Sequence, residues 1–351
     1  MPSIKEVARL AGVSIATVSN VLNQTRPVSA ELKERVLEAV SQLGYVADPL
    51  ASNLKKRHAR TIGLVTTRIA SVFYPYVIDG IHRVVQEAGY DLILHDSNDD
   101  PAIEEQSIRR LTQSRVSGII LDTSHDKLDE KYFLNLAGLS QRGYQMPIVS
   151  IELDLARYGL DSVYVDGVDG GCQATRHLID CGCRQIAHIT GPGLSSLAQD
   201  RLLGYKRALI TAGCPVDDRL IRAGNFSQYS GYQAACGLLD SGLPVDGIFA
   251  ANDQMAAGAC HAVLERGLRI PEDIRLVGYD NTFIASIVQP SITTIDVPKT
   301  EIGRQAALYL LDRIEGRTPA GPPRSLRLAA SLVVRTTTDR EARSDWELFD
   351  W

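Results

Sequence analysis

From Thr61 to about residue 334 the chain alternates short apolar runs with amphipathic stretches, and this alternation constrains the fold more than any other feature. The runs are IGLVTT (62–67), DLILHD (91–96), GIILDT (118–123), PIVSIEL (147–153), SVYVD (162–166), QIAHIT (185–190), GIFAAND (247–253), IRLVGYD (274–280), SITTID (291–296) and SLRLAASLVV (325–334). Strand-length runs separated by helical patterns predict parallel sheets with crossover helices. There are too many strands for one comfortable open sheet. Residues 61–160 and 162–290 each read as a complete βα set, so two lobes are expected. The late strands return to complete them, giving lobe 1 as 61–160 with 293–324 and lobe 2 as 162–290 with 325–338. Ligands in such folds bind off the carboxyl ends of strands. The cleft candidates are therefore Phe73 and Tyr74, the 191–201 loop, Asn252 and Asp253, and Asp280.

The N-terminal segment has a different texture. Ser3 and Glu6 have capping-box spacing, and Ile4, Val7, Ala8 and Ala11 fall on one helical face. Gly12 suits a left-handed helix end. Ser14 can cap a second helix, whose apolar stripe is Val18, Val21 and Leu22. That turns Ile15, Ala16, Thr17, Ser19 and Asn20 toward its other side. A third amphipathic segment runs from Ser29, with Leu32, Val36, Val40 and Leu43 on one face, to Gly44. Three short helices around one small core, with the second left outward, is the plan of a helix-turn-helix. A helical bundle with no nucleic-acid role has the same spacing. Charge separates the two: residues 1–60 hold nine basic and five acidic groups, on a chain of net charge −5. A basic end on an acidic body suits phosphate binding.

The chain has 351 residues, enough for two or three domains. Its start lacks the apolar stretch of a secretory signal. No run approaches the roughly 20 apolar residues of a membrane span. A cytoplasmic protein with no membrane association is expected, and in that compartment the six cysteines are expected to be free thiols. No G-x-G-x-x-G follows a strand, since TGPGLSS lacks the last glycine, and there is no Walker A lysine motif. SNLK (52–55) mimics an acylating Ser-x-x-Lys but lacks partner motifs. No enzyme and no cofactor are expected. His177, Cys181 and Cys183 have the spacing H-x-x-x-C-x-C, but a helix end with packed thiols explains them, so no metal is assigned. Between Tyr45 and Thr61, PLASNL predicts a short helix and KKRHAR a basic connector. The tail, 339–351, is acidic and carries both tryptophans.

Taken together and in order, IKEVARLAGVSIATVSNVLN, GYVADPLASNL, TIGLV, RLLGYKRAL, ANDQMAAGA, IRLVGYD and PSITTI resemble the LacI/GalR family of transcription regulators from about residue 3 to residue 338. The resemblance implies a helix-turn-helix DNA-binding domain at 1–48, a hinge helix and linker at 49–60, and an effector-binding core at 61–338. The core would be a two-lobed parallel-sheet α/β fold like periplasmic sugar-binding proteins. It implies a homodimer or homotetramer that binds double-stranded operator DNA under the control of a small-molecule effector.

By that resemblance Ile15, Ala16 and Asn20 are the base readers, with Thr17 beside them. Asn pairs bidentately with adenine, and Ile and Ala suit a thymine methyl. The family often has polar residues at positions 15 and 16. Leu54 matches a hinge leucine that wedges between bases in the minor groove. Arg26 and Lys55 are candidate phosphate contacts. In the core, Arg201, Asn252 and Asp280 match polar effector contacts, Phe226 an aromatic one, and Phe73 and Tyr74 a first-lobe loop; Gln254 and Asp169 are weaker matches. A guanidinium, an amide and a carboxylate with an aromatic ring suit a sugar; the same set could hold a purine. Arg201 could instead serve as a structural ion pair with Asp280 or Asp200.

Overall fold

A computed structural model describes residues 2–23, 26–45, 60–141, 146–193, 195–318 and 321–342. The chain divides into two compact units, Met1–Arg60 and Thr61–Trp351.

In the first unit, α1 (Ile4–Ala11), α2 (Ile15–Asn23) and α3 (Ala30–Leu43) enclose Val7, Ala8, Ala11, Val18, Val21, Val36 and Ala39. The Glu6 carboxylate accepts the Ser3 backbone N–H at 2.7 Å and the Ser3 hydroxyl at 3.0 Å. The N–H of Thr17 donates to Ser14 Oγ at 3.0 Å, which caps α2. Gly12 (φ +63°) and Gly44 (φ +56°) end α1 and α3 in the left-handed region. A side chain at position 12 would also meet Arg35 Nη2 at 2.7 Å, the atom that donates to the Ala11 carbonyl at 2.8 Å.

The second unit runs β1 (Thr61–Thr66), α4 (Tyr74–Glu87), β2 (Asp91–Asp96), α5 (Pro101–Gln113), β3 (Gly118–Leu121), α6 (Glu130–Gln141), β4 (Ile148–Ile151), β5 (Asp161–Val165), α7 (Gly167–Asp180), β6 (Ile186–Thr190), α8 (Ser196–Thr211), β7 (Ile221–Ala223), α9 (Gln228–Leu239), β8 (Gly247–Ala250), α10 (Asp253–Glu265), β9 (Arg275–Val277), α11 (Phe283–Ile287), β10 (Thr294–Asp296), α12 (Lys299–Ile314), β11 (Ser325–Leu328) and β12 (Ser331–Val333). Among the described residues six parallel strands form the first-lobe sheet in the order β11-β5-β4-β3-β1-β2, and four form the second, β7-β6-β8-β9. Strands β10 and β12 make a separate antiparallel pair, tied toward β9 through the bridge Val277↔Thr293. The inner strands are buried along their length, as expected for parallel sheets covered on both faces.

The lobe boundaries differ from the sequence division. Residues 162–165 and 325–328 were assigned to lobe 2, yet Ser325–Leu328 pairs in register with Ser162–Val165 inside the first sheet. The run SLRLAASLVV is two strands, because the chain leaves one ladder after Leu328 and enters another at Ser331. Strand β7 was not anticipated; it has only three residues, one of them Arg222, none is fully buried, and it lies at a sheet edge. Among the described residues no helix is long and apolar enough to cross a membrane.

Candidate functional site

The carboxyl ends of the core strands meet at one cavity. Thr67 follows β1, Asp122 follows β3, Glu152 follows β4, Asn252 lies just beyond β8, and Asp280 lies beyond β9. All five line the cavity, whose volume is about 440 Å³, within the range of small-ligand sites. Phe73 and Leu153 from the first lobe, and Leu197 and Phe226 from the second, supply its apolar surface.

Arg201 is brought there by close helix packing. A Cβ on Gly171 in α7 would lie 2.4 Å from the Arg201 carbonyl, and one on Gly204 in α8 would lie 2.2 Å from the Val168 carbonyl. Only glycine lets the two helix backbones approach so closely. The Arg201 guanidinium is buried, 3.9 Å from the Tyr279 ring centroid. It donates to the Ala251 carbonyl at 2.5 Å and to Asp280 at 3.2 Å. The expected ion pair is therefore with Asp280, while Asp200 pairs elsewhere. Burial opposes the guanidinium charge, and Asp280, Tyr279 and Glu152 more than offset it, so its pKa is raised. Among the described residues its Nε has no hydrogen-bond partner.

The neighbouring groups are held as firmly. Asn252 accepts the Met255 N–H at 2.9 Å, capping α10, and its amide donates to the Phe226 carbonyl at 2.9 Å. Asp280 is pushed up by burial, against the pull of Arg201 and Lys299. Lys299 Nζ donates to the carbonyls of Asp280 at 2.5 Å and Asn281 at 3.0 Å. Among the described residues, seven non-glycine positions have positive φ, and four of them, Asp99, Glu152, Phe226 and Asp280, line this cavity. Such strain persists only where the surroundings over-determine it, and it clusters at ligand sites.

Sequence reasoning missed the two carboxyls on the first-lobe wall. Asp122 accepts from Thr67 Oγ1 at 2.9 Å and from the Tyr74 hydroxyl. Burial raises its pKa to about 7, against those hydrogen bonds. Burial raises Glu152 to about 8, and Asp122 nearby adds to this. In the sequence both stand near the ends of apolar runs, GIILDT and PIVSIEL. Their place just past a strand's carboxyl end was the available signal.

The predicted effector contacts Phe73, Tyr74, Arg201, Phe226, Asn252 and Asp280 all line the cavity. Gln254 and Asp169 do not. Asp169 sits on the exposed first turn of α7, where it accepts from Gln173 at 2.9 Å and pairs with Arg327 at 3.5 Å. Gln254 lies in the first turn of α10, after the Asn252 cap, and is half-buried. His177 donates to or accepts from Thr338 at 2.8 Å and lies 3.6 Å from the Cys181 sulfur. In the head, Ile15 is 44% exposed. Ala16 and Arg26 are also exposed, and Thr17 and Asn20 are half-buried. Leu54 and Lys55 lie outside the described residues, as do the predicted hinge helix and residues 343–351 of the tail.

A small head with a capped, outward helix, followed by a two-lobed core with a polar cleft, defines a DNA-binding regulator that carries its own ligand-binding domain. Residues 3–48 match the bacterial regulatory proteins of the lacI family, and residues 175–338 match the periplasmic binding protein-like domain. The chain is 34% identical over 340 residues to the HTH-type transcriptional repressor PurR of Vibrio campbellii, covering 97% of this chain and 99% of that protein. It is 33% identical over 335 residues to the ribose operon repressor of Haemophilus influenzae, covering 95% and 98%. Two solved structures are similar across 96% of this chain. One is a transcriptional regulator CelR–cellobiose complex, at 33% identity, TM-score 0.71 and 100% of that chain. The other is the Lac repressor dimer bound to operator and the anti-inducer ONPF, at 29% identity, TM-score 0.84 and 99% of that chain.

The chain belongs to the LacI family of bacterial regulatory proteins. It is a sequence-specific DNA-binding transcriptional regulator with an effector-binding core, and not an enzyme. Members of the family bind operator DNA and small-molecule effectors and are oligomeric.

Proposed function

We propose that this regulator is a cytoplasmic repressor, active as a homodimer or homotetramer, whose operator affinity is set by a neutral carbohydrate in the core cavity. The observation behind the ligand class is the charge balance of the lining. Arg68 is paired with Asp99 and Arg201 with Asp280, and among the described residues no ion pair is formed by Asp122 or by Glu152, which Arg201 and Lys299 influence only through space. Hydroxyl groups suit those two carboxyls, which burial raises to about 7 and about 8, whereas a phosphorylated ligand would find both lining arginines already paired. Phe73 and Phe226 offer apolar surface for a sugar ring. The relative named for ribose and the solved complex with cellobiose are in keeping with this. A purine is the second reading, supported by the relatives named PurR.

On the DNA side, Ile15, Ala16, Thr17 and Asn20 read base edges in the major groove, Arg26 and Lys55 contact phosphate, and Leu54 wedges at the operator centre. Effector binding shifts the population between lobe arrangements and so changes DNA affinity. The test is a thermal-shift panel of neutral mono- and disaccharides, their phosphates, nucleosides and purine bases. A ligand at 100 times its Kd adds about 2.7 kcal/mol of stability. Stabilisation by neutral sugars and not by their phosphates supports the proposal. A response confined to phosphates or purines rejects the carbohydrate.

A further inference from the structure

We infer that Lys127 is the positioning residue that holds the lobes closed over the cavity, and that its ion pair with Asp200 is the latch. Calling the enclosed space an effector site rests on the function proposed above; the latch itself rests on contacts between the lobes. Residues 122–129 form a strap between β3 and α6, and its first part, Asp122 to His125, lines the cavity. Lys127 crosses from that strap to α8 of the second lobe. Its backbone N–H donates to Ser196 Oγ at 2.9 Å, and its ammonium donates to the Asp200 carboxylate. Its carbonyl accepts from Arg157 Nη2 at 2.7 Å and from the Tyr158 hydroxyl at 2.9 Å.

Every polar group of Lys127 is therefore committed, two to the second lobe and one to the first. The strap is stiffened locally, with Asp126 accepting the Leu128 N–H at 2.8 Å and Asp129 accepting the Tyr132 N–H at 3.1 Å. Beside the latch, Leu197 of α8 packs against the first-lobe core. Asp200 and Arg201 are consecutive on α8, one facing the strap and the other the cavity. A single helical turn thus carries both the latch and a cavity contact. The side chains of Lys127 and Asp200 are 33% and 20% exposed, so salt screens the pair only in part.

Hydrogen exchange on the full chain without ligand tests this. Asp200→Asn and Lys127→Met should each speed exchange of the strap amides at 124–129 and of the α8 turn at 196–201. The expected change is about 5-fold, the size of a partly buried ion pair. Strands β1 and β3 should be unaffected. The double variant should exceed neither single one, because both remove the same contact. The exchanged pair Lys127→Asp with Asp200→Lys should recover part of the protection. Unchanged strap exchange in Asp200→Asn, or additive effects in the double variant, would overturn the latch. Failure of the ligand panel would reject the effector reading and leave this result standing.

Discussion

Replacing Glu152 by Gln isolates one buried carboxyl and gives a stability change with a definite sign. A carboxyl raised from its ordinary value near 4.3 to about 8 holds its proton in the folded core long after the unfolded chain has released it. The folded state therefore binds more protons throughout that window, and stability falls as pH rises toward about 8, levelling off above. Each pH unit inside the window costs about 1.4 kcal/mol. Between pH 5.5 and 8.5, with the curve flattening at its upper end, Glu152 removes roughly 3 kcal/mol of core stability. Gln keeps the shape and cannot ionise. Scanning calorimetry of the core transition should show the wild type losing roughly 6 °C more than Glu152→Gln between those pH values, at about 2 °C per kcal/mol for a domain of this size. Asp122, raised to about 7, acts in the same direction, so some slope should persist in the variant. Equal slopes in the two proteins would refute the account of Glu152 as a carboxyl whose burial outweighs the pull of Arg201 and Lys299.

Other expectations follow from the same geometry. The pair Arg201→Ala with Asp280→Ala should abolish ligand-induced thermal stabilisation while operator binding persists, since both side chains lie in the core; a retained response would move the site elsewhere. Gly12→Ala should destabilise the head by about 1 kcal/mol or more, because φ is +63° there and a Cβ meets Arg35; melting followed by circular dichroism checks it. Asn20→Ala should cost about 1–3 kcal/mol of operator affinity and relax preference at one base position, read by selection from an operator library. Operator affinity should also fall steeply with salt, the logarithmic slope counting the phosphates neutralised.

The head was legible because its signals are local. Ser3 with Glu6, Ser14, Gly12 and Gly44 each act within one turn of helix, and each does so in the structure. Arg35 reaching back to the Ala11 carbonyl was not legible, since no pattern links residues 24 apart. In the core the strands could be read from apolar runs, but the partners of β5 and β11 could not. Their ladder joins segments more than 150 residues apart, and an edge position leaves no mark on sequence. Arg201, Asn252, Asp280 and Phe226 were named through motifs that sit next to strand ends. Asp122 and Glu152 occupy equivalent positions without such a motif, and Lys127 is a lone lysine in a polar loop.

The most direct measurement is an operator titration with the full chain. Sites enriched from a random palindromic library would be titrated by fluorescence anisotropy, with and without the ligand that stabilises the core. A sequence-specific complex is expected. Its affinity should change at least 5-fold on adding ligand, in either direction, and the change should vanish in Arg201→Ala with Asp280→Ala. Enrichment of no site, or a ligand effect that survives in the double variant, would contradict control of operator affinity from this cavity.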